Sequence, residues 1–292
     1  MSWFAGVVRL PWPVMKAFAS VWVLLFLASA APAPAAAAEE RLPIFDAHMH
    51  YSESAWDVFS PGDILKMMSA LSVSGALVSS TPDDGTQRLI EAAPDRMVGG
   101  FRPYRKTNDL GRWYEKAELV PYSEKRLAKG RHRVFGEVHL YGPENLQTPP
   151  MARFFAMMEE HGLILQPHAE AWVVQALFAK KPDLRILWAH AGFSEPAAVV
   201  GGMMDRYPNL WADLSYRAQD IMPGGEIDPE WRKVLVGHAD RFMIGTDTWA
   251  VDRWHEYEGL IGEHRMWLAK LPPAVAEKIA HKNAEKLFGP GR

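Results

Sequence analysis

The stretch Leu42-Pro43-Ile44-Phe45-Asp46-Ala47-His48-Met49-His50 is a short apolar run that ends in two histidines. On a β-strand, side chains two residues apart point to the same face. The pattern therefore predicts a buried strand from whose end the imidazoles of His48 and His50 project side by side. Two imidazoles side by side are the arrangement needed for both to bind a single divalent metal ion.

The same kind of apolar run recurs along the rest of the chain, each time followed by a polar corner and a longer amphipathic segment. The runs are residues 43–48, 75–80, 97–103, 133–140, 163–168, 184–190, 210–215 and 241–246. The helix-like segments are residues 61–71, 149–161, 171–181, 195–207, 229–238, 253–271 and 273–287. Near-continuous apolar runs are typical of parallel strands buried on both faces. Eight such units predict an α/β fold, a single-domain (β/α)8 TIM barrel.

Further metal-binding residue types stand at other predicted strand ends. The fourth run contains Glu137, and the fifth, sixth and eighth lead to His168, His190 and Asp247. Carboxyl ends of parallel strands meet at one mouth of a barrel, so these side chains are expected to converge with the first histidine pair. Nitrogen and oxygen donors without a thiolate suit Zn, and also Mn or Fe, as one or two divalent ions.

Two of the remaining polar groups on these strands leave alternatives open. Glu137 either bridges two ions or pairs with an arginine such as Arg102, and His139 is a candidate for contact with a ligand or with the substrate. The other histidines fall in segments predicted as helix or loop, where solvated or capping roles are expected; they are His132, His161, His238, His255, His264 and His281.

The first 38 residues differ in character from the rest. Arg9 and Lys16 are followed by an uncharged apolar stretch that ends in Ala36-Ala37-Ala38. This order is typical of a cleaved signal peptide, residues 1–38, with an uncleaved membrane anchor as the alternative. It predicts an exported protein, periplasmic or secreted, whose domain of residues 39–292 has no stable membrane association. A net charge of −3 without a basic stripe argues against nucleic acid as a partner.

At these residues the chain resembles the amidohydrolase superfamily, and most of all its amidohydrolase-related (amidohydrolase 2) family. The resemblance rests on 45–50 (FDAHMH), 167–168 (PH), 188–192 (WAHAG), 211–215 (WADLS), 245–247 (GTD) and 283–289 (NAEKLFG). It implies that His48, His50, His168 and Asp247 hold a primary metal. It also implies that His190 binds a second metal or polarises the substrate. Glu137 stands where many members carry a modified lysine, and is similar to the Glu of TatD-like nucleases.

The expected activity is hydrolysis of a small amide, ester or lactone by a metal-activated water. Asp247 is the candidate general base, and His190 would stabilise the charge that develops on the substrate. Metal-dependent decarboxylation is the alternative, and a non-catalytic metal- or ligand-binding protein is a third possibility. Candidate substrate-binding residues are Arg102, Tyr216, Arg217 and Trp249. The sequence leaves a homo-oligomer open.

Overall fold

The computed structural model describes residues 41–289, and these form one compact unit. The predicted leader, residues 1–38, lies outside the described part. Eight parallel strands follow one another around a single sheet in the order β1 to β8. Their bounds are β1 Ile44–Met49, β2 Val73–Ser79, β3 Met97–Phe101, β4 His132–His139, β5 Ile164–His168, β6 Ile186–Trp188, β7 Leu210–Asp213 and β8 Phe242–Met243.

The sheet curls until its first and last strands meet. Asp46 of β1 bridges to Ile244 just after β8, and the Ala47 N–H donates to the Ile244 carbonyl at 2.8 Å. One residue pair further on, the His48 carbonyl accepts from both Thr246 N–H and Asp247 N–H. These contacts close the (β/α)8 barrel that the strand–helix pattern predicts.

Helices connect the strands and cover the outside of the barrel. They are α1 Pro61–Ala70, α2 Asp84–Ala92, α3 Leu119–Leu127, α4 Pro149–Glu160, α5 Ala171–Lys180, α6 Ala197–Arg206, α7 Ala218–Ile221, α8 Pro229–Gly237, α9 Val251–His255, α10 Tyr257–Leu268, α11 Pro273–Glu277 and α12 Asn283–Phe288. A π-helical turn, Lys278–Lys282, joins the last two. Among residues 41–289, no helix combines the length and apolar character needed to cross a bilayer.

The predicted helical segments are confirmed within a few residues at their ends, but two of them are divided: 253–271 into α9 and α10, and 273–287 into α11, the π-helical turn and α12. The helix α2 has no counterpart in the sequence prediction. Its buried face consists of Gly85, Thr86, Gln87 and Leu89, so it carries little apolar periodicity. The helix α3 lies in the charged segment 106–131, after a 3-10 stretch at Thr107–Glu115.

A plug of apolar side chains fills the amino-terminal half of the barrel interior. Side chains from all eight strands contribute to it, with Trp211 of β7 only partly buried, and Phe288 of α12 packs against them at the amino-terminal end. The Phe45 and Phe288 rings lie 5.7 Å apart. With this end closed by packing, the interior is open to a ligand at the carboxyl ends of the strands.

Candidate metal centre

Six of the predicted site residues converge at the carboxyl-terminal mouth of the barrel. They are His48, His50, Glu137, His168, His190 and Asp247. Five of them are at most 5% exposed, and His168, whose side chain is 29% exposed, stands at the edge of the cavity. The residues arrive from β1, β4, β5, β6 and the turn after β8, so the strand-end prediction of their convergence agrees with the structure.

A first group of donor atoms surrounds His50. Its Nε2 lies 3.1 Å from Asp247 Oδ1 and 3.2 Å from Glu137 Oε2. The Nε2 of His48 lies 3.2 Å from that of His50. These four residues each offer one donor atom within 4.8 Å of the others. Two imidazoles and two carboxylates at this spacing form a ligand set for a divalent ion.

A second group shares Glu137 with the first. Glu137 Oε1 lies 2.8 Å from His168 Nδ1 and 3.2 Å from His190 Nε2. His190 Nε2 is 3.1 Å from His168 Nδ1. The family resemblance implied that His168 belongs with the first group, whereas the structure places it beside His190. Because Glu137 faces both groups, the arrangement accommodates one ion or two.

The hydrogen bonds behind three imidazoles show that the cluster fits a cation. His48 Nδ1 faces Asp213 Oδ2 at 3.0 Å, and His50 Nδ1 faces the Ser79 carbonyl at 2.5 Å. Both partners only accept, so each Nδ1 carries a proton and each Nε2 is the ring nitrogen that faces the cluster. The Oδ1 atom of Asp247 is also buried without a hydrogen-bond partner.

His190 repeats this arrangement. Its Nδ1 lies 2.7 Å from Ser215 Oγ, and that hydroxyl donates to Asp213 Oδ1. The hydroxyl proton is thus committed to Asp213, so Ser215 Oγ accepts from His190 Nδ1, and Nε2 is the nitrogen of His190 that faces the cluster. The Nε2 atoms of three histidines therefore face two carboxylates, and a divalent cation bound among them would replace any proton that they carry.

The charges of the cluster act on its own members. Burial alone would lower the pKa of His48, but the carboxylates of Asp213, Asp247 and Glu137 outweigh it and hold that pKa well above its usual range. Burial would raise the pKa of Glu137, yet the surrounding imidazoles hold it well below its ordinary value. The pKa of Asp247 is lowered in the same way, against burial, by His48 and His50. Both carboxylates are therefore ionised, as metal ligands must be.

Backbone geometry fixes the two ligands that follow β6 and β8. His190 has φ of 56° and begins a run of positive φ angles that continues through Ala191, Gly192 and Phe193. Asp247 has φ of 50°. Left-handed conformations are costly for residues with a Cβ and persist where the surroundings hold them. Here the His190 N–H donates to Asp213 Oδ1, and the Asp247 N–H donates to the His48 carbonyl.

Sequence reasoning missed the residues that orient the ligands. Asp213, at the end of β7, contacts His48, His190 and Ser215, and it is completely buried. Partners of this kind fix the tautomer and orientation of ligating histidines. Asp213 lies within the predicted run 210–215 and is the last residue of β7 in the structure, so the rule applied to the other strand ends could have found it too.

A cavity of about 970 Å³ opens above the cluster. Arg102, Tyr216 and Trp249 line it, together with His139 and Lys106. The sequence left two alternatives for Glu137, a bridge between two ions or a pair with Arg102. The structure places Glu137 between the two groups of donor atoms and also beside Arg102, whose Nη2 lies 3.6 Å from Glu137 Oε2. The cavity is thus bordered by cationic groups near β3 and by aromatic rings near β7 and β8.

Arg217 does not reach this cavity, which corrects its assignment as a substrate-binding residue. Its guanidinium donates to the carbonyls of Phe193 and Glu195 and lies 3.1 Å from Asp220. Tyr216 takes a positive φ of 63°, and Arg217 lies 2% exposed behind the loop after β6. Its donors are used to hold that loop.

Two histidines expected in solvated or capping positions are buried instead. His132 lies on β4, where its Nε2 is 2.8 Å from Asp83 Oδ1. His264 lies on the inner face of α10 and donates to the Gly245 carbonyl at 2.9 Å. A hydrogen bond to a nearby partner offsets the free-energy cost of burying each imidazole. The sequence alone does not reveal these partners.

Several solved structures are similar to this chain in fold. A probable 2-pyrone-4,6-dicarboxylic acid hydrolase from Acinetobacter baumannii, with citric acid bound, is 14% identical with a TM-score of 0.58, covering 85% of this chain and all of that one. A 5-carboxyvanillate decarboxylase from Novosphingobium aromaticivorans, with manganese and 4-hydroxy-3-methoxy-5-nitrobenzoic acid, is 13% identical with a TM-score of 0.53, covering 86% and 97%. A TatD homologue from Escherichia coli is 14% identical with a TM-score of 0.57, covering 84% and 97%.

These identities establish a shared fold. No curated protein matches the chain in sequence. The family model for amidohydrolases matches residues 45–289, which is almost the whole described part and includes all six converging residues. The chain therefore belongs to the amidohydrolase family and is an enzyme of the amidohydrolase type.

Proposed function

We propose that the protein is a metal-dependent hydrolase of a small substrate that contains an amide, ester or lactone bond. The observation that carries the proposal is the convergence of three imidazole Nε2 atoms and two ionised carboxylates beneath an open cavity. Family membership supports an enzyme over a protein that only binds a metal or a ligand.

The proposed cofactor is one or two divalent ions, Zn first and Mn or Fe as alternatives. His48, His50, Glu137 and Asp247 would hold one ion, and Glu137, His168 and His190 a second. A similar solved structure contains manganese, which supports including that metal in tests. A bound divalent ion would lower the pKa of water and polarise the scissile carbonyl.

Asp247 is the proposed general base. Its carboxylate borders the cavity and is ionised. Its Oδ1 would face the metal beside His50, and its other oxygen would take a proton from the attacking water and return it to the leaving group. His190 also borders the cavity and is the proposed residue that stabilises negative charge on the substrate.

The cavity walls favour a substrate that carries a carboxylate on a flat or apolar body. Arg102 is 5% exposed and Lys106 lies further out on the same side, so both can face an anion. Tyr216 and Trp249 offer ring surfaces on the opposite side. The similar solved structures hold citric acid and a nitrobenzoic acid, both of which carry carboxylates.

Metal-dependent decarboxylation is the second candidate, and the position of Arg102 favours it. Arg102 lies against the ligand Glu137, so a carboxylate that it binds would lie beside the metal cluster. In a hydrolase the scissile carbonyl would lie beside the cluster, whereas in a decarboxylase the reacting carboxylate itself would lie there.

One experiment separates these reactions. The purified chain is loaded with Zn, Mn or Fe and offered carboxylated lactones, esters and amides alongside aromatic carboxylic acids. Acid release is followed in a pH-stat and CO₂ release by a coupled assay. Hydrolysis is expected, with loss of several orders of magnitude in Asp247→Asn protein that has been reloaded to the wild-type metal content, and none in the exposed His161→Ala. CO₂ release without hydrolysis would support decarboxylation, and no turnover of any substrate would contradict both.

The cellular location is proposed from the leader alone. We propose that residues 1–38 are removed on export, leaving a periplasmic or secreted enzyme without stable membrane association. The apolar stretch and the Ala36-Ala37-Ala38 end support cleavage. Mass spectrometry of the protein from cell fractions tests this, since a retained Met1 in membrane fractions would contradict it. Sedimentation of the same material would settle whether it forms a homo-oligomer.

A further inference from the structure

Arg253 makes three contacts with the active-site loops although it does not line the cavity. It lies on α9, and its Nε donates to the Asp247 carbonyl at 2.6 Å. Its Nη2 donates to the Thr246 carbonyl at 2.5 Å. Its guanidinium carbon lies 4.0 Å from the centre of the Tyr216 ring. One side chain thereby joins the loop after β7 to the loop after β8.

The contact with Asp247 acts on a residue whose backbone has an unfavourable conformation. Asp247 has a positive φ of 50°, which costs free energy for any residue but glycine. Its N–H donates to the His48 carbonyl at 2.6 Å from one side. Its carbonyl accepts from Arg253 on the other side. Both peptide groups that flank its Cα are thus held, and the direction of the carboxylate follows from them.

The contact with Tyr216 acts on a second left-handed residue, with φ of 63°. The guanidinium covers one face of its ring, and the Trp249 Nε1–H donates to its hydroxyl at 2.8 Å. The ring centre lies 5.6 Å from that of His190 in an edge-on arrangement. Movement of Arg253 would therefore release both the carboxylate of Asp247 and the ring beside His190.

We infer that Arg253 is a positioning residue of the active site. It holds Asp247 towards the ligand cluster and Tyr216 against His190 without touching the substrate. Only arginine can do both, because its planar fork donates to two carbonyls while its face stacks on a ring. The effect on catalysis rests on the proposed function, whereas the effect on the loop does not.

The test compares Arg253→Gln and Arg253→Lys with Arg232→Gln. Arg232 is a matched control, because it also donates to a backbone carbonyl, that of Lys270, but on the surface of α8. Hydrogen exchange is measured on peptides that cover residues 213–218 and 244–250 of the metal-free chain. Exchange there is expected to rise about tenfold or more in both Arg253 variants, with the rest of the barrel and the control unchanged.

Two further measurements separate positioning from a merely structural role. Release of the metal to a chelator, from equally loaded proteins, is expected to be about 10- to 100-fold faster in Arg253→Gln. The value of kcat should fall by a larger factor than that by which KM rises. Millimolar guanidinium should partly restore metal retention and kcat in Arg253→Ala, whereas methylammonium should not.

Unchanged exchange in both peptides would overturn the inference, whatever the metal content or activity. Faster exchange together with wild-type metal release and kcat would also overturn it, since Arg253 would then only stabilise the loops. A wild-type chain that binds no metal and turns over no substrate would contradict the proposed function instead. The exchange measurement would in that case still decide the contact between Arg253 and the loops.

Discussion

The Nε2 atoms of His48 and His50 lie 3.2 Å apart, and both face the carboxylates of Glu137 and Asp247. Their Nδ1–H groups point away, to Asp213 and to the Ser79 carbonyl. Two ring nitrogens this close need a proton or a cation between them. The outer hydrogen bonds would therefore hold the pair in the orientation that binds a metal in place of that proton.

Removal of one of these imidazoles should abolish metal binding. We expect about one or two ions per chain in the wild type, and a loss of most of this content in His48→Ala, because His48 contributes a donor atom to the group around His50. Elemental analysis after dialysis measures the change. The exposed His161→Ala should keep the wild-type content; equal loss in both variants would point to misfolding, and equal retention would contradict the ligand role of His48.

Glu137→Gln tests whether the two groups share one carboxylate. Glutamine keeps the shape but removes the charge that faces His50 on one side and His168 on the other. Metal content should fall to less than half, because both groups lose the same anionic donor. Titration with Zn followed by calorimetry measures the number of sites and their affinities. Full occupancy at wild-type affinity would show that Glu137 is not a ligand.

Asp213→Asn should weaken metal binding without removing a ligand. The carboxylate accepts from His48 Nδ1, and an amide placed there can offer its NH₂ to that nitrogen and shift the tautomer. A loss of about 10- to 100-fold in metal affinity is expected, measured by competition with a chelator. Asp205→Asn is the matched control, since Asp205 faces His238 at the surface. Affinity within twofold of the wild type would assign Asp213 a packing role only.

Arg102→Gln should distinguish charged from neutral substrates. If Arg102 binds the substrate carboxylate, KM for a carboxylated ester should rise about tenfold or more, since a hydrogen bond to a charged group is worth about 1.5–3 kcal/mol. KM for the neutral analogue should change little. Steady-state kinetics on the matched pair measures this. An equal rise for both substrates would mean that Arg102 acts through Glu137, which it also contacts.

His264 should make the barrel less stable in mild acid. Burial lowers its pKa from 6.5 to about 4 in the folded chain. Between pH 6.5 and about 4 the unfolded chain binds a proton that the folded chain does not, so the free energy of unfolding falls as the pH falls. The loss is about 3 kcal/mol at most, and it is complete below about pH 4.

Urea unfolding of the metal-free chain at pH 7 and pH 4.5 measures this effect. His264→Gln can still donate to the Gly245 carbonyl but does not titrate, so its stability should depend less on pH. Both proteins keep every other ionisable group, so the contributions of those groups cancel in the comparison. The same pH dependence in both would assign the acid sensitivity to other groups.

The strand ends explain how much of the site the sequence could predict. Periodicity identified the strands, and the parallel topology required their carboxyl ends to meet, so the ligands from His48 to Asp247 could be placed together. The division into two groups depends on the reach of the Glu137 side chain, which periodicity does not describe. Arg217 shows the same limit. Tyr216, which precedes it, has a positive φ, and this backbone conformation directs the Arg217 side chain away from the cavity.

The helices outside the prediction have a different cause. In α2 the buried face is largely polar or small, since it packs around the buried Asp83 and His132. Interactions between residues 49 positions apart decide that face. The role of Arg253 could not be predicted for the same reason. Its contacts with Asp247 and Tyr216 exist only once the loops after β7 and β8 are adjacent.

The seam between β1 and β8 links metal binding to folding. The strand β8 is two residues long, so few ladder bonds hold the first strand to the last. Ligands lie on both sides of the seam, His48 and His50 on one and Asp247 on the other. An ion between them would close a loop of about 200 residues, and its binding energy would add to the stability of the closed barrel. In a chain without cysteine, such an ion would take the place that a disulfide could have between the two ends of the sheet.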